Sequence, residues 1–355
     1  MISLLAALLL ATALPAQTTS APQPRRYAGA AACGNCHPAQ FSQQSASGHA
    51  RSLVPAQQHP LAARFFPETP LVRKPNFRFE FTPGKVRVSG KDAAALEAPI
   101  QWAFGAGDQA VTFVGRLDED RYLEHHFSYY AAVRTLDATP GHRDLPAQSP
   151  AEALGLIYRT FDPEARIMTC FQCHSTGRLS LGPELEIQPA ELGVRCEACH
   201  GPGSLHVEAA SQGRLAETRR LIDNPRRLPA AALNQLCGQC HRKPAPSGAA
   251  TDWNDPWNAR HQPLYLSQSA CFRRSAGKLS CLTCHHPHRP LQRNDAAYYN
   301  ARCGACHQAV KHPPLKLPAG NCIRCHMPEV RPHEHLRFAN HWIGVYRGKD
   351  TLRPR

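Results

Sequence analysis

Apolar and polar side chains alternate through much of residues 70–145. Phe77, Phe79 and Phe81 alternate with polar residues, Thr82 to Lys85 supplies a turn, and Val86 and Val88 resume the alternation, which predicts a β-hairpin. A second pair of strands is expected over Val111 to Val114 and Tyr122 to Tyr130, joined by the acidic turn Asp118–Asp120. On the latter strand His125 shares a face with Leu123, Phe127 and Tyr129, and His126 points the other way. Gly105 to Gly107 reads as a plain turn. Ser149-Pro150-Ala151-Glu152 then combines an N-cap, a first-turn proline and a capping box, so a helix is expected to run on through Ala153 to Thr160. A further amphipathic helix is expected over Leu205 to Ile222. At the start of the chain, the apolar run Leu4 to Leu14 with Ala13 and Ala16 reads as a secretory signal peptide over residues 1–16, although no basic residue precedes it. That run is too short to span a bilayer comfortably, and no other long apolar segment exists, so no transmembrane segment is expected in the mature chain.

Beyond residue 165 this patterning fades, and composition takes over. With 32 prolines and only 7% aromatic residues in 355, the chain is poorly equipped to build an ordinary apolar core throughout. Of its 15 cysteines, all but Cys271 fall in seven copies of Cys-x-x-Cys-His. These are Cys33, Cys36, His37; Cys170, Cys173, His174; Cys196, Cys199, His200; Cys237, Cys240, His241; Cys281, Cys284, His285; Cys303, Cys306, His307; and Cys322, Cys325, His326. Zinc sites and disulfide frameworks also use spaced cysteines, but neither requires a histidine directly after every second one. The repeat is the attachment signature of c-type haem. One helical turn puts both sulfurs on one side for the haem vinyl groups and presents the next imidazole to the iron. Seven covalent haem c groups are therefore expected, in a periplasmic or secreted protein. The last six motifs begin only 19 to 44 residues apart, too close for separate haem domains.

Apolar porphyrin plates can supply the core that the side chains lack. The expected fold is mainly α and loop-rich, a multihaem cytochrome c fold built on stacked haems with a small β-rich insertion. Its parts are a signal peptide (1–16), an N-terminal haem unit (17–69), a haem-free β-rich insertion (70–148), a six-haem domain (149–345) and a loosely held basic tail (346–355). The formal charge of +14 first suggests nucleic acid. Two propionates per haem bring roughly −14, however, so arginines near the haems are read as propionate partners and no nucleic-acid partner is expected.

Seven sixth coordination positions remain. Of the methionines that survive signal removal, Met327 adjoins His326 and cannot cross to the far face of that haem, so bis-histidine ligation is expected, with low potentials. The candidate distal ligands are His49, twelve residues past His37; His206, redirected by the turn after the third motif; His288, set by Pro287; His261; and His341. His312 and His335 are more evenly balanced. His59, His125, His126 and His142 read as surface or insertion residues, and His286 as solvent-facing.

Several phrases resemble the multihaem cytochromes c that include nitrifier tetrahaem electron carriers, octahaem hydroxylamine oxidoreductase and pentahaem nitrite reductase. They are YAGAAACGNCHPAQF with the later SGHA, GVRCEACHGPGSLH (193–206), KLSCLTCHHPH, and CIRCHMP with His341 downstream. In that group the histidine ending the second phrase is a distal ligand, which the resemblance carries to His206. All seven motifs here end in histidine, a departure from the lysine-ligated haem of those nitrite reductases. The resemblance covers wires and enzymes alike. The first reading is a chain of bis-histidine haems passing single electrons between periplasmic or membrane-associated redox partners, with no catalytic residue. The alternative is an oxidoreductase with one open haem acting on nitrite, hydroxylamine or sulfite. Arg121, Tyr122, His125, Tyr129, Tyr130 and Arg134 are its candidate polar groups, against their reading as an ordinary sheet surface.

Overall fold

Two antiparallel sheets occupy the stretch from Leu53 to Arg159. The structure is a computed structural model describing residues 24–73, 77–91, 93–162, 166–242, 251–293, 295–308 and 320–355. The expected signal peptide lies outside them. The strands are β1 (Leu53–Pro55), β2 (Leu71–Arg73), β3 (Phe77–Thr82), β4 (Lys85–Gly90), β5 (Ala93–Pro99), β6 (Trp102–Phe104), β7 (Ala110–Arg116), β8 (Arg121–Tyr130), β9 (Thr135–Ala138) and β10 (Gly155–Arg159). One sheet has the order β1-β6-β7-β8-β10, with β9 also paired to β8; the other is β2-β3-β4-β5.

The first expected hairpin is β3–β4, in register from Thr82 opposite Lys85, with Gly84 taking the positive φ of 88° that closes so short a loop. Its alternation does what it predicts, because Phe77, Phe79, Phe81, Val86 and Val88 all turn inward. There they meet Val111, Phe113, Leu123, Phe127 and Tyr129 from the other sheet. The second expected pair is β7–β8. Both faces of β8 are covered, so His125 and His126 are each buried, as are His59 and His142; none of the four is a surface residue.

Ser149 caps the amide of Glu152 as expected, but the helix α3 that it opens (after α1, Ala30–Gly34, and α2, Pro38–Ser45) spans only Pro150–Leu154. The expected helix over Ala153 to Thr160 is instead strand β10, paired antiparallel with β8. Gly155 is the reason. Its φ is 149°, and a Cβ there would lie 2.0 Å from the carbonyl oxygen of Glu124, so the chain leaves the helix and lies against β8.

The rest is loops, three small two-stranded sheets, the largest pairing Glu329–His333 with Leu336–Ala339, and short helices: α4 (Arg166–His174), α5 (Cys196–His200), α6 (Ser204–Ser211), α7 (Leu215–Thr218), α8 (Ala230–His241), α9 (Gln262–Gln268), α10 (Ala270–Arg274), α11 (Cys281–Cys284), α12 (Ala296–Gly304) and α13 (Cys322–His326). The helix expected over Leu205 to Ile222 is broken into α6 and α7 at Gly213, whose φ is 71°. The end of the chain is held rather than loose: Asn340 donates to the carbonyls of Thr351 and Leu352, and Leu352 packs near Trp253, Tyr265 and Trp342. Among the described residues the fold is mixed, 33% helical and 23% strand, rather than mainly α. Helices only one to three turns long add little, and strands extend to either side of the haem-free segment.

Candidate haem site

Each motif folds into one turn of helix or its immediate end. The amides of His37, His285 and His307 donate to the carbonyls of Cys33, Cys281 and Cys303 at 2.8, 2.9 and 2.9 Å. The second, third, fourth and seventh motifs end α4, α5, α8 and α13. An i to i+4 closure of this kind puts the first cysteine, the second and the histidine on one side. At least one residue of every motif lines a single continuous cavity of about 3620 Å³. A small-molecule pocket measures roughly 300–1,000 Å³, so the space fits several large apolar groups. The imidazoles carry its fit to haem.

Four motif histidines are faced by a second imidazole. His37 and His206 have ring centres 6.4 Å apart and planes at 18°; His200 and His288, 6.2 Å and 21°; His285 and His341, 6.3 Å and 39°; His241 and His49, 6.0 Å and 67°. A metal held between two imidazoles by bonds of about 2.0–2.1 Å puts the nitrogens about 4 Å apart and the ring centres roughly 6 Å apart. The spacing is too wide for direct stacking and right for an intervening metal. The other ring nitrogen agrees. Nδ1 lies 2.9 Å from the Ser52 carbonyl in His174, 2.8 Å from that of Asp223 in His200, 2.8 Å from that of Gly344 in His326, 2.9 Å from that of Thr218 in His206 and 3.0 Å from that of Ala339 in His341. A carbonyl only accepts, so Nδ1 carries the proton and Nε2 keeps its lone pair for a metal. Burial lowers His49 and His341 to about 4, keeping both in the neutral form that ligates.

His49, His206, His288 and His341 are thus brought opposite motif histidines. His261 is not: Arg242 donates to its Nδ1 at 3.2 Å, so any proton on the ring sits on Nε2. His335 is bonded to Asp137 at 2.8 Å, and His312 lies outside the described residues. Among the described residues no second imidazole faces His174 or His307; the ring beside His174 is Phe104, at 5.4 Å.

The motifs also touch one another. The helices that carry them pack together: α1 against α5, α4 and α11 against α8, α11 against α12, and α12 against α13. Cys199 is within electrostatic reach of Cys237, and Cys271 of Cys284, Cys303 and Cys306. Every motif is joined to the next group in space by such a neighbour, in an order that differs from sequence order.

Two positioning residues lie where the sequence pattern is silent, at the free positions inside motifs. Phe171 is fully buried against Trp102, Phe104 and Tyr122, which seats the second motif on the larger sheet. Glu197 is 3% exposed and accepts three backbone hydrogen bonds. A buried acid has no periodic signal; only its place beside a cysteine pair marks it. The six polar candidates for an enzyme do not gather at the cavity. Tyr122, Tyr129, Tyr130 and His125 are buried in the sheets, and Arg121 pairs with Asp118 at the surface.

The family model described as cytochrome c554 and c-prime matches residues 155–201. The crystal structure of the outer cell wall cytochrome OcwA is similar over 89% of this chain and 79% of its own, at 18% identity and a TM-score of 0.50. The undecahaem cytochrome from the S-layer of Carboxydothermus ferrireducens is 17% identical, over 93% of this chain and 53% of its own, at a TM-score of 0.41. This chain therefore spans about half the length of that protein. No curated protein sequence matches. The fold is that of a multihaem c-type cytochrome.

Proposed function

We propose that the chain is a heptahaem cytochrome c that passes single electrons between redox partners outside the cytoplasm. Each of the seven motifs holds one haem through its two cysteines and its histidine. His206, His288, His49 and His341 supply the sixth ligand to the haems of His37, His200, His241 and His285. The haem iron, when bound, supplies one-electron redox chemistry. The chain's own contribution is to hold the imidazoles with Nδ1 tied to carbonyls. Arginines on its wall, Arg195, Arg274 and Arg302 among them, are placed to pair with propionates.

The observation that carries this reading is the contact between motifs. An electron carrier needs its centres in close succession: the helices of the first and third motifs pack together, as do those of the second and fourth, the fourth and fifth, the fifth and sixth, and the sixth and seventh, and Cys199 of the third motif is within electrostatic reach of Cys237 of the fourth. A secreted or cell-envelope location is supported by the sequence of residues 1–16 and by the source of OcwA, an outer cell wall protein. No helix among the described residues is long and apolar enough to cross a membrane. Kinship with the nitrifier tetrahaem group rests on GVRCEACHGPGSLH and the match over 155–201.

The oxidoreductase reading keeps one specific support, the motif histidines that no second imidazole faces among the described residues, His174 above all. EPR of the oxidised holoprotein separates the two. Low-spin haem throughout is the expected result, and a high-spin haem that binds nitrite, hydroxylamine or sulfite would replace the wire by an enzyme.

A further inference from the structure

The two helices that present His37 and His206 start at the same carboxylate. Helix α1 has Gly29 at its N-cap, with φ 82° and no side chain of its own to cap it. Its leading amides are capped from far along the chain. Ala28 donates to Oε1 of Glu197 at 2.9 Å, Gly29 to Oε2 at 2.8 Å, and Ala30 to Oε2 of Glu191 at 3.1 Å. Gly203, the N-cap residue of α6, also donates to Oε1 of Glu197, at 2.7 Å. Beside these bonds Arg26 and Ser204 exchange two more, amide to hydroxyl at 2.9 Å and amide to carbonyl at 3.0 Å. The entrance to α1 and the entrance to α6 are thus fastened to one buried side chain. Helix α1 leads to His37, α6 carries His206, and their rings stand 6.4 Å apart.

We propose that Glu197 is the positioning residue for the axial pair His37–His206, although it lies inside the motif that binds a different haem. The argument rests on the axial reading above. Glu197 sits in the rigid turn between Cys196 and Cys199, which the third haem anchors on attachment. Its two oxygens leave no freedom in how the two entrances meet, because a carboxylate only accepts and all three amides only donate. A side chain without those acceptors leaves three amides unpaired beneath both helices, and the spacing of the two imidazoles is no longer held. The same carboxylate sits at the entrance of the helix that leads to the first motif, and its negative charge there holds down the potential of the neighbouring haem. The motifs are therefore coupled: the third builds the site of the first.

The experiment compares oxidised holoproteins by EPR and by spectroelectrochemical titration. His206→Ala supplies the reference, one haem turned from low to high spin. Glu197→Ala is expected to reproduce that high-spin signal at unchanged haem content. Glu197→Gln is expected to stay low-spin in larger part, since its amide oxygen still serves Ala28 and Gly203, while the lost charge raises the midpoint of one haem. Glu208→Ala, an exposed change on α6, is expected to alter neither readout. A Glu197→Ala protein with the wild-type low-spin complement and unshifted potentials overturns the proposal. If that variant fails to load haem, a Glu197→Gln protein with wild-type spectrum and potentials does so instead. An unaltered spectrum in His206→Ala overturns the axial assignment itself, a failure read from a different protein.

Discussion

The β region and the haem region solve the same problem, a filled interior, with different material. Residues 53–160 fill theirs with side chains: Phe65 lies 4.9 Å from Phe113 and 5.6 Å from Tyr129, and Phe79 lies 5.0 Å from Phe127, ring centre to ring centre. Most of the buried apolar residues of the described chain belong to this stretch. From residue 166 onward the short helices, together with α1 and α2, line a cavity of about 3620 Å³, and buried apolar side chains are few there. One region is folded by its own sequence, the other by a cofactor that the sequence only attaches. Stability in the first is a matter of packing. In the second it is inseparable from haem loading, as for any group bound by the native state alone.

The largest effect that separates them is loss of haem. Protein made without haem attachment is expected to lose the short helices beyond residue 166 while the sheets persist. Limited proteolysis should then leave a resistant fragment near residues 53–160, and far-UV circular dichroism should retain strand and lose helix. A haem-free chain that resists protease from end to end would break the comparison. A smaller effect runs the other way. Phe113→Ala empties a fully buried ring site between the sheets and is expected to cost about 3–5 kcal/mol of the stability of the β region. Haem content and the low-spin spectrum should not change, because Phe113 belongs to the core between the sheets and not to the cavity wall.

Smaller again is the response to acid. Burial lowers His125 to about 4 against the opposing hydrogen bond that its ring donates to the Pro99 carbonyl, and it lowers His126 to about 3 with help from Arg73 and His142. The unfolded chain takes up those protons near pH 6.5, and the folded one does not. Their contribution is therefore complete above about 6.5 and is lost as pH falls towards 4. At pH 6 each withdraws about 1 kcal/mol at most. The urea midpoint of the β region should be flat above pH 7 and fall below 6.5, and His125→Gln should flatten the fall. A midpoint independent of pH between 4 and 7 would mean that these histidines are wet.

Legibility follows the same division. The alternation at Phe77, Phe79 and Phe81 was enough to place β3 and β4, because a sheet with one face inward writes its register into the residues. The haem motifs were equally plain, because attachment demands two cysteines and a histidine at fixed spacing. Between them the reading fails where one glycine overrides a longer pattern. Gly155 turns an expected helix into β10, and Gly213 divides another. Distal histidines are only half legible. His206 and His288 follow turns that aim them, whereas His261 looks similar in sequence and is taken by Arg242. Glu197 and Phe171 were beyond reach, since the positions between motif cysteines carry no pattern at all.

The smallest expected effect concerns the one cysteine that belongs to neither solution. Cys271 lies in α10, half-buried on the cavity wall and within electrostatic reach of Cys284, Cys303 and Cys306, and burial pushes its thiol up. On the proposed reading seven haems consume fourteen of the fifteen cysteines as thioethers, so the denatured holoprotein should show one free thiol per chain. Cys271→Ser should remove that thiol, leave the haem-to-protein ratio by pyridine haemochrome at seven, and change stability by about 1 kcal/mol or less. Each missing haem adds two thiols, so a count of three means six haems. A count of two that falls to one in Cys271→Ser means that a motif is attached through a single sulfur. Thiol and haem counts together decide between these cases, because attachment consumes cysteines two at a time and Cys271 is the remainder.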